Sequence, residues 1–93
     1  MKSFVVIGLG RFGISLAREL CEQGHEVLAV DILEEQVQLV ADVVTQAVAA
    51  DARDPEALRA LGVRNYDCAV VALSADVGDS ALVTMNLKEL GVP

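Results

Sequence analysis

Along this chain, short apolar runs alternate with stretches in which apolar residues recur every three or four positions. Val5, Val6 and Ile7 are apolar on consecutive positions, the pattern of a strand covered on both faces. Glu26-Val27-Leu28-Ala29-Val30-Asp31, Val44 to Ala49 and Cys68 to Leu73 repeat it. Between these runs the period changes. Phe12, Leu16 and Leu20, with Gly13, Ala17 and Cys21 beside them, form one face of a helix that Gly24 would stop. Leu33, Val37, Val40 and Ala41 space a second helix, and Ala57, Leu58 and Leu61 a third. Asp54-Pro55-Glu56 is a start signal for the third, with Asp as cap and Pro at the first helical position. A fourth helix runs from Val77 to Leu90 and is ended by Gly91-Val92-Pro93.

Strands separated by helices pair in parallel through right-handed crossovers. The pattern therefore predicts a Rossmann-like α/β fold, an open twisted sheet with helices on both faces and strand order 3-2-1-4. No linker, repeat or low-complexity segment divides it. The alternation stops where a fifth strand would come, so the unit reads as the first mononucleotide-binding half of such a fold plus the start of the second, truncated at that point.

The first strand breaks directly into Gly8-Leu9-Gly10-Arg11-Phe12-Gly13, a G-x-G-x-x-G pattern between a buried strand and a helix N-terminus, where a phosphate cradle needs it. Gly8 permits the turn out of the strand, Gly10 lets the backbone approach a pyrophosphate with no Cβ in the way, and Gly13 lets the helix pack closely on the sheet. The amides around Arg11 and Phe12 would point at the anion with the helix dipole behind them. Arg11 adds a positive charge that could reach a terminal phosphate; its other reading is an exposed surface arginine. Asp31 ends the second strand eighteen residues after Gly13, the place of the carboxylate that accepts hydrogen bonds from an adenosine ribose. Asp31-Ile32-Leu33-Glu34 also reads as a helix cap, and the two roles can coexist. With Ile32 and Leu33 following and no Arg or Lys, Asp31 would repel a 2′-phosphate, which disfavours NADP. Asp51 and Ala52 close the third strand and Ala72, Leu73 and Ser74 the fourth, so both sets fall at the carboxyl edge where such sheets bind ligands. Asp51 reads equally as a turn residue.

No catalytic constellation and no metal-ligand set emerges. His25, the only histidine, falls in the Gly24-His25-Glu26 turn at the opposite end of the strands, and Ser74, Ser80 and Thr84 have no base in a plausible position. Cys21 and Cys68 stand far apart in apolar contexts, which fits buried thiols in a reducing cytosol.

Composition narrows the partners. The net charge of −7 argues against nucleic acid. With 54% hydrophobic residues in 93, some apolar surface needs cover from another chain or a continuation of this one. Ser80-Ala81-Leu82-Val83-Thr84-Met85-Asn86-Leu87, uncharged and apolar on more than one face, is where that cover is expected: either the rest of a domain or a subunit interface that a charge at Val83 or Leu87 would disrupt. The longest uninterrupted apolar stretch, Cys68 to Leu73, is too short to span a bilayer, and no basic leader with a cleavable apolar run opens the chain.

Taken together, Val6-Ile7-Gly8-Leu9-Gly10-Arg11-Phe12-Gly13, Gly24-His25-Glu26-Val27-Leu28-Ala29-Val30-Asp31, Leu61-Gly62-Val63-Arg64-Asn65 and Leu87-Lys88-Glu89-Leu90 resemble the N-terminal (TrkA-N, KtrA-like) domain of RCK proteins, the cytosolic nucleotide-binding subunits of Trk/Ktr potassium uptake systems. The resemblance covers nearly the whole chain and marks residues 1–93 as the N-terminal portion of an RCK-type nucleotide-binding domain. It implies a non-catalytic, cytoplasmic regulatory subunit that binds an adenine nucleotide (ATP, ADP or NAD(H)), assembles as a homodimer and then a larger ring, and gates a membrane-embedded K⁺ transporter or channel subunit. Carried over by position, Gly8, Gly10, Arg11, Phe12 and Gly13 would hold phosphates and Asp31, with Ile32 beside it, the ribose. Asp51 and Ala52 would meet the adenine, with Ala72 and Leu73 along the adenosine. Arg53 departs from the small polar residue often seen after Asp-Ala in the family. Two other classes fit the residues: the NAD-binding half of an oxidoreductase whose catalytic domain lies beyond residue 93, and an assembly module whose glycine loop is empty.

Overall fold

The computed structural model describes residues 2–73 and 77–91, so Ser74 lies outside the described residues. Four strands, β1 (Ser3–Ile7), β2 (Glu26–Asp31), β3 (Gln46–Ala49) and β4 (Cys68–Val71), alternate with four helices, α1 (Arg11–Glu22), α2 (Glu34–Val40), α3 (Pro55–Ala60) and α4 (Val77–Glu89). The strands form one parallel sheet in the order β3-β2-β1-β4, as expected. Successive strand residues feed opposite faces, which explains why the strands are apolar without alternation. Val5, Ile7, Leu28 and Val30 pack with Leu58, Val63, Val83 and Leu87 on the α3–α4 side. Val6, Val27 and Ala29 pack with Leu9, Ala17, Val37 and Val40 on the α1–α2 side.

Several local expectations are corrected. Phe12 does not belong to the buried stripe of α1; it is 67% exposed, while Gly13 and Ala17 are buried. Helical side chains lean toward the N-terminus, so one in the first turn projects past the end of the helix instead of onto the sheet. Leu33 is the N-cap residue of α2 and exposed, and Ala41 is its exposed C-cap, leaving Val37 and Val40 as the buried face. The third strand begins at Gln46, not Val44, because the Thr45 hydroxyl accepts from Val27 N at 3.1 Å and the ladder starts at the Leu28–Gln46 pair. The fourth ends at Val71: Ala72 N still donates to the Ile7 carbonyl at 2.7 Å, but β1 ends at Ile7 and the chain turns at Gly8 with φ +99°, so the ladder goes no further. A short 3₁₀ turn, Val63–Asn65, led by Gly62 at φ +73°, follows α3 without an anticipating signal. Asp54 does cap α3, accepting from Glu56 N at 3.0 Å with Pro55 behind it.

On α4, Val83 and Leu87 are buried against the sheet, so they are core residues and not an interface. The face left to solvent carries Leu82, 42% exposed, and Met85, 58% exposed.

The packing of α1 against the sheet depends on one contact. A Cβ on Gly13 would fall 1.8 Å from the Gly8 carbonyl oxygen, whereas a Cβ on Gly24 would meet nothing within 4 Å. Gly13→Ala is expected to destabilise the protein by about 2 kcal/mol or more in spite of alanine's better helix propensity. Gly24→Ala, which strains only a φ of +88°, should cost about 1 kcal/mol. Urea unfolding of the two variants checks the order, and an equal effect would contradict the close contact.

Candidate functional site

The four strands end at one edge of the sheet, and the loops that leave β1 and β4 diverge there, since β2 lies on one side of β1 and β4 on the other. In such sheets the crevice at this switch point is the ligand site. The turn out of β1 is drawn tightly against the start of the β4 loop. Gly8, at φ +99°, has the Ala72 carbonyl where a Cβ would stand, 2.8 Å away. Gly10 is different: its φ of −75° and ψ of −166° suit any residue, so its backbone conformation does not demand glycine.

That first turn is bare. Gly10 is the N-cap, no side chain caps the helix and no acidic residue lies in its first turn. The first intrahelical bond is Ile14 N to the Gly10 carbonyl at 2.9 Å, so the amides of Arg11, Phe12 and Gly13 precede the ladder with no helix carbonyl to take them. Together with the helix dipole they form an anion-seeking end. Arg11 is exposed on the same turn.

Between the two loop glycines, Leu9 is fastened on three sides. Its side chain is fully buried, its N–H donates to Asp31 Oδ2 at 2.7 Å, and its carbonyl accepts from Gln36 Nε2 at 2.6 Å. Asp31 Oδ1 accepts from Leu33 N at 2.8 Å. The Asp31 side chain therefore does not cap α2; it closes an Asx turn and locks the glycine loop to the end of β2. Each oxygen retains a second lone pair for a further donor.

Next to this lock lies an open cleft of about 200 Å³, smaller than pockets that enclose a whole ligand. Of the residues singled out in the sequence, Gly8, Asp31, Ile32, Asp51, Ala52 and Leu73 line it. Gly10, Arg11, Phe12 and Gly13 stand at the α1 end outside that lining, and Ala72 lies beneath the loop, its carbonyl against Gly8. Asp51 and Ala52 sit in the loop beyond β3 and do not close the strand, which ends at Ala49. Ala50 N donates to the Asp31 carbonyl at 3.0 Å, so this loop starts in register with the Asp31 turn.

Sequence reasoning missed three residues of this region. Arg53 grips Asp51 through Nε–Oδ1 at 2.9 Å and Nη2–Oδ2 at 3.0 Å. Those bonds, with the Arg53 N–H also donating to Oδ1, hold the Asp51 carboxyl below its ordinary 3.8. Gln36 clamps Leu9, and Asn86 donates from α4 to the carbonyls of Ala52 and Arg53. The one available signal was Asn86 itself, a poor helix former among apolar neighbours. His25 is at the far edge, where its Nδ1 accepts from Lys2 N at 3.2 Å and its ring meets Phe4 edge-on at 5.2 Å. Among the described residues no group of His, Cys, Asp and Glu has the makings of a metal site, and no helix is long and apolar enough to cross a membrane.

Known proteins share this frame. Over 97% of its length the chain superposes with a TM-score of 0.84 on 67% of the NAD(P)-binding domain of an exopolyphosphatase-related protein from Archaeoglobus fulgidus, at 29% identity. It is 51% identical over 92 residues to the Ktr system potassium uptake protein A of Bacillus subtilis, matching 99% of this chain and 41% of that protein. The corresponding protein of Vibrio alginolyticus is 45% identical over 91 residues, 98% of this chain and 41% of the relative. The chain thus spans about two-fifths of the length of these relatives. The TrkA-N domain model matches residues 4–92. With the parallel sheet, the glycine loop and Asp31 in the places that fold requires, the chain belongs to the TrkA-N domain family.

Proposed function

We propose that this chain is the nucleotide-binding domain of a regulatory subunit of a potassium uptake system, a ligand sensor and not a catalyst. The observation that carries the reading is the uncapped first turn of α1 beside the Asp31 carboxylate, in a chain half identical to a protein named for potassium uptake. Gly8, Gly10, Arg11, Phe12 and Gly13 would receive the phosphates and Asp31, flanked by Ile32, the ribose hydroxyls. Asp51 and Ala52 would meet the adenine, with Ala72 and Leu73 along the adenosine. The ligand is an adenine nucleotide, ATP or ADP or NAD(H). Asp31 would repel a 2′-phosphate, and Ile32 and Leu33 follow it with no Arg or Lys, so NADP is disfavoured.

A nucleotide moves a regulatory equilibrium only if it binds two geometries of the protein unequally. A third phosphate would supply such a difference if a positive charge met it, and Arg11, exposed on the first turn of α1, is our candidate for that charge. The partner that converts this into two geometries is a second copy of the chain, in a homodimer and then a larger ring, against a membrane-embedded K⁺ transporter or channel subunit on its cytoplasmic side. Leu82 and Met85 are the exposed apolar groups of α4 that such an assembly would cover.

Calorimetric titration of ATP, ADP, NAD⁺ and NADH into the intact protein tests the reading. Arg11→Ala should weaken ATP by about tenfold to a hundredfold and ADP by far less; an equal loss removes Arg11 from this role. Asp31→Ala should abolish binding. Asp31 also secures Leu9, so Gln36→Ala, which loosens the same loop from the other side, is the control and should cost much less. A wild-type protein that binds none of the four contradicts the nucleotide reading. Lysine at both Leu82 and Met85 should lower the oligomer mass by light scattering, and an unchanged mass would place the interface elsewhere.

A further inference from the structure

Asn86 is the one buried polar side chain among the described residues, 6% exposed on a helix whose neighbouring inward positions are Val83 and Leu87. An apolar residue would fill that place at lower desolvation cost, and Asn is a poor helix former, so its presence calls for hydrogen bonds that nothing else supplies. It makes them to the backbone of a loop more than thirty residues away: Nδ2 donates to the Ala52 carbonyl at 3.3 Å and to the Arg53 carbonyl at 2.9 Å. One carboxamide nitrogen carries two N–H groups, enough to serve both carbonyls. Opposite them, Arg53 N and the guanidinium turn back to Asp51, and Asp54 N donates to the Asp51 carbonyl at 3.0 Å. The loop is held from α4 on one side and by its own ion pair on the other.

We propose that Asn86 is a positioning residue for the base end of the nucleotide site: from α4 it fixes the carbonyls of Ala52 and Arg53, and so sets the shape of the cleft wall against which the base lies. This rests on the nucleotide reading and deepens it. Asn86 touches no ligand; it acts through the loop. It also makes α4 energetically part of the site. Met85 is adjacent in sequence and Leu82 one turn away, both on the solvent side of the same helix, so a protein packed on that side and a nucleotide in the cleft bias one shared element.

The test is a titration of ADP and of UDP into the intact protein, wild type and with Asn86→Leu or Asn86→Gln, each variant first shown to keep its thermal midpoint. Leucine keeps the bulk and removes the donors. It should weaken ADP by about threefold to tenfold and shrink the preference for ADP over UDP by a similar factor. Glutamine, which retains the carboxamide, should recover much of both. Unchanged ADP affinity with leucine overturns the proposal, and so does equal loss for the two nucleotides, or a wild type that does not tell the bases apart. Should the leucine variant not fold, a measurement without substitution decides: saturating ADP should slow hydrogen exchange over residues 82–88 of the wild type, and no change there overturns the coupling. A wild type that binds no ADP brings down the nucleotide reading itself, and this inference with it.

Discussion

The contact between Gly8 and Gly13 is the constraint from which the rest of the site follows. The carbonyl of Gly8 occupies the place of a Gly13 side chain, 1.8 Å from where its Cβ would be. Only a helix without a Cβ there can come so close to the end of β1, and that closeness puts the first turn of α1 at the carboxyl edge of the sheet. Once α1 is so placed, its unpaired amides face the same edge as the loops after β2, β3 and β4. The uncapped first turn of α1 is thus a consequence of packing, and the partial positive charge it presents is supplied by backbone alone.

Asp31 shows how a short chain makes one residue serve two ends. Its two oxygens hold the amides of Leu9 and Leu33, so the carboxylate fixes the glycine loop to the start of α2. The same group lines the cleft. A ligand hydroxyl arriving there would meet a carboxylate already oriented by two backbone donors, which would lower the ordering cost of binding. Gln36 completes the clamp from the other side through the Leu9 carbonyl. On the β3 side, Arg53 neutralises Asp51 at close range, so Asp51 would not present an uncompensated negative charge to an anionic ligand in the cleft.

The sheet order, the glycine loop, the end of β2 at Asp31 and the Asp54-Pro55 cap were legible because each is written in local sequence: consecutive apolar residues, glycines at fixed spacing, a cap next to a proline. Phe12 was misplaced because period alone cannot tell a first-turn residue that overhangs the helix end from one over the sheet. On α4 the apolar residues lie on two faces, and periodicity does not say which meets the core; the structure turns Val83 and Leu87 inward and Leu82 and Met85 outward. The roles of Gln36 and Asn86 went unread for a different reason. Their bonds go to backbone 27 and 33 or 34 residues away, and only the folded topology brings those partners together. Arg53 stood out as a departure from the family pattern, but its grip on Asp51 is a matter of side-chain reach that the sequence does not express.

The proposed nucleotide would sit at the carboxyl edge of this sheet, between the α1 turn and the β2 and β3 loops. Hydrogen–deuterium exchange on the intact protein with and without saturating ADP locates it directly. Slower exchange is expected over residues 8–14, 31–34 and 50–54, with residues 23–27 and 62–67 at the opposite edge unchanged. Protection confined to that opposite edge, or none at all under conditions where ADP is bound, would contradict it.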